Sequence, residues 1–181
     1  MMPLKRFSQA DLAEVKAKWE LALPCDDSMF YEASRPYFEE AQRFCAEDHA
    51  RSADGIYGLF DPQAPDELAI PGFTKIIHDK EKRDLRSVWN AWQPQLEENP
   101  PPVGFRAFVT HSYLTRIVDL AMSVDARSIS IYAHNGILRE WLTALVDIEP
   151  SNDFESTKRN DTLTFFGNWF RVGNVKKGKI F

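Results

Sequence analysis

The sequence predicts an α/β (α+β) fold, a mixed and mostly antiparallel twisted sheet of about six to seven strands flanked by four helices. Three observations lead there. Two N-terminal segments repeat apolar residues at helical spacing. The stretch from Gly55 to Gln93 carries three apolar, β-branched or aromatic runs broken by turn residues. From Ala107 onward, helix, strand and helix patterns alternate before a final pair of runs. With 181 residues, 44% hydrophobic and 27% charged, the chain is long enough for one sizeable core and short for two, so one domain over 1–181 is expected.

Taken in order, "SQADLAEVKAKWELAL" places Leu12, Val15, Trp19 and Leu23 on one helical face behind Ser8, an N-cap residue, and predicts a first helix over about 9–22. In "SRPYFEEAQRFCAEDHARS", Tyr37, Phe38, Ala41, Phe44 and Cys45 share a face, and Ser34 ahead of Pro36 reads as the start of a second helix. "GIYGLFD" and "ELAIPGFTKIIHD" read as two strands around the turn "PQAPD", with Pro71 and Gly72 marking a bulge or an edge. "LRSVWNAWQ" alternates large apolar with polar residues and reads as a third strand, a short helix being the competing reading.

The prolines of "PQLEENPPPVG" form a loop. "AFVTHSYLTRIVDLAMSV" then sets Phe108, Leu114, Ile117, Val118 and Ala121 on one side of a third helix. "SISIYAH" is a strand and "GILREWLTALVD" a fourth helix, covering the sheet with Ile137, Leu138, Trp141, Leu142 and Leu145. The last segment, with Asn160-Asp161 between two runs, reads as a terminal hairpin.

Composition removes several function classes. A net charge of -5 lacks the clustered cations that a phosphate-backbone binder needs, so no nucleic acid is expected. The basic tail "RVGNVKKGKIF" reads as a solvated end. No apolar run approaches the length of a membrane span, and "MMPLKRFSQADLAEV" has no apolar region of a secretory signal, so a cytoplasmic protein is expected. Cys25 and Cys45 show no CxxC spacing, and His49, His78, His111 and His134 share no ligand spacing, so neither a disulfide framework nor a metal is indicated. There is no GxSxG elbow and no GxxxxGK[ST] loop. His78-Asp79 at a strand end is a lone dipeptide, and no acid/base role is assigned to it.

The order of two helices, a meander of strands and then strand, helix, strand, helix resembles the GNAT superfamily of N-acetyltransferases. The resemblance covers most of the chain. It rests on this order and on a local pattern: a helix with Ala121 in its last turn, a short gap, a strand, then Asn135 and an amphipathic helix. It implies acetyl-CoA as cofactor and an amine as acyl acceptor. It also implies that Asn135 touches the cofactor and that a phosphate cradle precedes the third helix. The family's cradle has Arg or Gln, two residues, Gly, one residue, then Gly or Ala. Counted back from Ala121, "RAFVTH" keeps Arg106 in the first place and sets Val109 and His111 in the small places, with Arg106, Thr110 and His111 as donors to phosphate.

A frame moved to Gly104 puts Pro101 in the Arg place and Arg106 in the second small place. Where the family often carries a Tyr on the fourth helix, this chain has Trp141 and Leu142, and no catalytic residue is assigned. The second function the resemblance implies is a catalytically inactive fold acting as an interaction or structural protein. Such folds occur in tailed bacteriophages, which would place the chain in the host cytoplasm or the virion. Finally, "FFGNWF" cannot turn all its aromatics to one side of a strand, and a homo-oligomer through that hairpin is one way to cover them.

Overall fold

The computed structural model describes residues 1–21, 28–47, 53–60, 70–93, 103–133, 138–139, 142, 163–173 and 175. A seven-stranded sheet is built from β1 (Leu4–Arg6), β2 (Gly55–Leu59), β3 (Gly72–Asp79), β4 (Asp84–Trp92), β5 (Ser128–Tyr132), β6 (Leu163–Phe166) and β7 (Trp169–Val172), in the spatial order β1-β2-β3-β4-β5-β7-β6. Every pairing is antiparallel except β4 with β5. Helices α1 (Gln9–Leu21) and α2 (Ser28–Ala46) lie between β1 and β2 in the chain, and α3 (Val103–Ser123) connects β4 to β5. Leu138, Arg139 and Leu142 are helical; the rest of the predicted fourth helix lies outside the described residues. Among the described residues, no helix is long and apolar enough to cross a membrane.

Each face of the sheet has its own core. On one face α1 and α2 bring Leu12, Val15, Trp19, Phe38 and Ala41 against Phe7, Ile56, Phe73, Trp89 and Ala91. Trp19 meets Phe38 edge-on at 5.4 Å between centroids, and Phe73 meets Trp89 edge-on at 5.7 Å, arrangements that the ring quadrupoles favour. On the other face α3 presents Val109, Tyr113, Leu114, Ile117, Val118 and Ala121 to Ile76, Leu85, Trp92, Ile129 and Ile131, joined by Leu138 and Leu142.

The helix ends follow elementary rules. Ser8 Oγ accepts the Asp11 N–H at 3.2 Å while Asp11 Oδ2 accepts the Ser8 N–H at 2.8 Å, a reciprocal capping box. Lys5 Nζ donates to the other Asp11 oxygen at 2.5 Å. The Lys5 bond, followed by the two Ser8 bonds, brings the Asp11 carboxyl down to about 2. At the far end of α3, Asp125 takes the left-handed conformation (φ 57), and Ala126 N donates to Ala121 O and Asp125 N to Met122 O, the Schellman pattern.

Several expectations are corrected. Strand β1 has no counterpart in the predicted order, because three residues with two cations carry no period. It is held by Met2, whose N–H reaches Ser112 Oγ at 3.2 Å and whose carbonyl takes Arg116 Nε at 3.3 Å. Helix α2 begins at Ser28, not near Ser34, so Pro36 sits inside it and leaves the carbonyl four residues back without its usual donor. Phe108 is 40% exposed, being off the face that Leu114, Ile117, Val118 and Ala121 share. Pro71 and Gly72 mark the start of β3 and no bulge; the register shift falls at Lys75/Ile76. The terminal hairpin turns at Gly167-Asn168, with Gly167 at φ 60, and Asn160-Asp161 lie outside the described residues. "LRSVWNAWQ" is a strand, as first read.

Two glycines are required by close approach. A Cβ on Gly58 would lie 1.9 Å from Phe7 Cζ, and that ring is held in the aromatic core. On Gly72 it would lie 2.5 Å from Trp92 Cε3 and 2.9 Å from the Ala91 carbonyl. Gly58→Ala is expected to destabilise the protein by about 3 kcal/mol in urea denaturation, with Gly104→Ala, where a Cβ meets nothing within 4 Å, causing no loss. Ser8→Ala is expected to cost about 1 kcal/mol. Since the folded-state value of Asp11 lies below its ordinary 3.8, its contribution is full above about pH 4 and lost as pH falls through about 2. In Asp11→Asn this part of the acid dependence of the urea midpoint is expected to vanish.

Candidate functional site

The site is built by one extra residue. Lys75 pairs with Trp89 and Ile76 with Ser87, so Val88 in β4 has no partner of its own in β3. Such a bulge bends its strand and breaks the alternation of faces. Val88 and Trp89 accordingly both face the α1/α2 core, while Ser87 and Asn90, three residues apart, both face α3.

The bulge is also where β4 leaves β5. The parallel ladder runs from Asp84↔Ser128 to Ser87↔Ile131 and stops. Below that point the strands are fastened by the buried Asp84 carboxylate, which accepts Ser128 Oγ at 2.6 Å and Ser130 Oγ at 3.0 Å and is met by Arg86 Nε at 3.0 Å. Above it they form a fork. Ala133 N donates to Asn168 O on the β7 side at 2.8 Å, so Tyr132 turns its own backbone groups toward β4. The Tyr132 carbonyl accepts Asn90 Nδ2 at 3.2 Å across the gap.

Behind Asn90 lies a buried polar network. The Tyr113 phenol on α3 donates to Asn90 Oδ1 at 2.5 Å and lies 2.6 Å from Ser87 Oγ, which is 2.8 Å from Thr74 Oγ1; Thr74 in turn donates to the Trp89 carbonyl at 2.8 Å. Burial pushes the Tyr113 phenol up to about 12, against the downward pull of its bonds with Ser87 and Thr74, so it stays a neutral donor. That donation fixes the sense of the Asn90 amide, oxygen toward Tyr113 and nitrogen toward the fork. The adjoining crevice, lined by Leu59, Gly72, Thr74, Asn90, Trp92 and Tyr113, has no room for a water molecule. Tyr113→Phe, which removes one of the two donors to the Asn90 carbonyl but keeps the ring against Trp92, is expected to lower stability by about 1 kcal/mol in urea denaturation.

Of the sequence-predicted residues, Arg106, Val109, Thr110 and His111 fall in α3. Arg106 follows its first residues, 103–105, whose backbone N–H groups have no helical acceptor. The Arg106 side chain is outside those described. Val109 is buried in the core, His111 is exposed, and Thr110 is buried with no partner for Oγ1 among the described residues. The "RAFVTH" stretch therefore lies wholly within α3, which opens at Val103. Asn135 lies outside the described residues. His78 and Asp79 sit on opposite faces, as neighbours in a strand must, with Asp79 paired to Arg86 at 3.1 Å. The residues that sequence reading missed are Asn90, Ser87 and Thr74. Their one signal is that "SVWN" breaks the strict alternation of its strand.

No protein-family model and no curated protein sequence matches the chain. Solved structures do resemble it. The PaiA N-acetyltransferase of Thermoplasma acidophilum in complex with coenzyme A superposes with a TM-score of 0.51 at 10% identity, over 96% of this chain and 98% of that one. A spermidine N-acetyltransferase SpeG chimera from Vibrio cholerae and hSSAT gives 0.50 at 13% identity, over 95% of each chain. At such identities the likeness is one of fold: the chain has the GNAT-type N-acetyltransferase fold.

Proposed function

We propose that this chain is a divergent acyl-CoA N-acyltransferase that transfers an acetyl group from acetyl-CoA to an amine. The observation that carries this reading is the fork: two parallel strands joined through α3 separate at Val88. A parallel crossover puts a helix N-terminus there, with unpaired N–H groups and the positive end of the dipole suited to an anion. The structural likeness to an N-acetyltransferase in complex with coenzyme A supports the same reading.

The residues fit the cofactor in three respects. The first turn of α3 would face the phosphates, with Gly104 leaving open space beside it. Arg106, Thr110 and His111 on α3, and Asn135 beyond β5, would add donors. The Tyr132 carbonyl, turned into the fork, would accept an amide N–H. When bound, acetyl-CoA supplies the thioester whose acyl group passes to the amine. The chain contributes orientation and a dry, fixed environment; Tyr113 is the one titratable group of the network and remains neutral.

A second reading is favoured by one observation: Asn90 spans the fork with its own bond to the Tyr132 carbonyl. In that reading the fold is inactive and serves as an interaction or structural protein, for example in a phage virion or against a host factor.

Isothermal titration of acetyl-CoA separates the two. Micromolar binding, weakened about tenfold or more in Arg106→Ala, is expected for the acyltransferase, with thiol release when amines such as spermidine are added. No binding at millimolar acetyl-CoA would replace that reading with the second.

A further inference from the structure

At the paired end, β4 and β5 are joined by a ladder and by the buried Asp84 carboxylate with its two serines. Beyond Val88, Asn90 Nδ2 donates across the gap to the Tyr132 carbonyl at 3.2 Å, a side-chain amide to a main-chain oxygen. Asn90 is 2% exposed and the bulge alone puts it on this face. Its amide is held in one sense by Tyr113 and Ser87, which occupy the oxygen and leave the N–H end for Tyr132. A carboxamide in that place offers Tyr132 the same donor that a ligand's amide would offer. The arm of an acyl-CoA carries two secondary amides.

We infer that Asn90 is an internal latch, its carboxamide holding the fork shut, and that an amide-bearing ligand of the acyl-CoA class enters by taking the Tyr132 carbonyl from it. The identity of the ligand rests on the acyltransferase reading; the latch does not. Tyr113 acts through Asn90 and is a positioning residue. Its loss frees the amide to rotate and loosens the latch in part. Because binding must first break the bond, removing it raises affinity by the cost of that opening, about threefold to tenfold for one net hydrogen bond.

The test pairs hydrogen exchange with titration in the wild-type chain, Asn90→Ala and Tyr113→Phe. In both variants, amide exchange is expected to rise about tenfold in peptides covering residues 88–92 and 129–133, with β2 and β3 unchanged. Acetyl-CoA is expected to bind about threefold to tenfold tighter to Asn90→Ala and by a smaller factor to Tyr113→Phe. A rise spread evenly over all peptides would overturn the latch. Localised exchange with no acetyl-CoA binding by any chain would sink the acyltransferase reading and leave the latch standing. Wild-type binding that is not tightened in a folded Asn90→Ala would do the reverse. If Asn90→Ala does not fold, Tyr113→Phe carries the same comparison.

Discussion

The bulge at Val88 is the constraint on which the rest of the structure depends. One unpartnered residue lets Val88 and Trp89 both enter the core beneath α1 and α2, and it returns Asn90 to the face of α3. Without it, alternation would leave Ser87 and Asn90 on opposite faces, and the network with Tyr113 and Thr74 would not exist. The same residue ends the pairing of β4 with β5. Fold and site thus meet at a single irregularity.

Around that point the packing leaves little slack. Phe7 lies over Gly58, Trp92 over Gly72, and Trp92 edge-on to Tyr113 at 6.0 Å. The aromatic core on the other face is tied to α2 by Lys75, whose ammonium meets Glu40 at 2.7 Å and lies 4.5 Å from the Phe44 centroid. Burial alone would raise the Glu40 carboxyl, but its bond with Lys75 holds it below its ordinary range. These contacts hold β3 and the bulged half of β4 in place, so the fork opens between β4 and β5 and nowhere else along the described sheet. Buried polar groups that satisfy one another narrow the arrangements a core can adopt.

Much of this was legible in the chain. Leu12, Val15 and Trp19 mark α1 by their spacing, Ser8 marks its start, and the alternation in "LRSVWNAWQ" marks β4. The misses have local causes. Three residues of β1 carry no period, and Pro36 signalled a helix start that tertiary packing overrode. Phe108 fell off the face because six residues do not close two helical turns. The stretch Arg106 to His111, reached by counting back from Ala121, lies inside α3, which begins at Val103.

What the sequence determined by itself is therefore the order and kind of the main elements, since periodicity, caps and turns are local and each residue declares them to its neighbours. What only the tertiary structure decided is the fork and its occupant. A bulge is a relation between two strands, visible when Lys75 meets Trp89 and Ile76 meets Ser87. Asn90 acquires its place from partners 16, 23 and 42 positions away, Thr74, Tyr113 and Tyr132, which no local pattern connects.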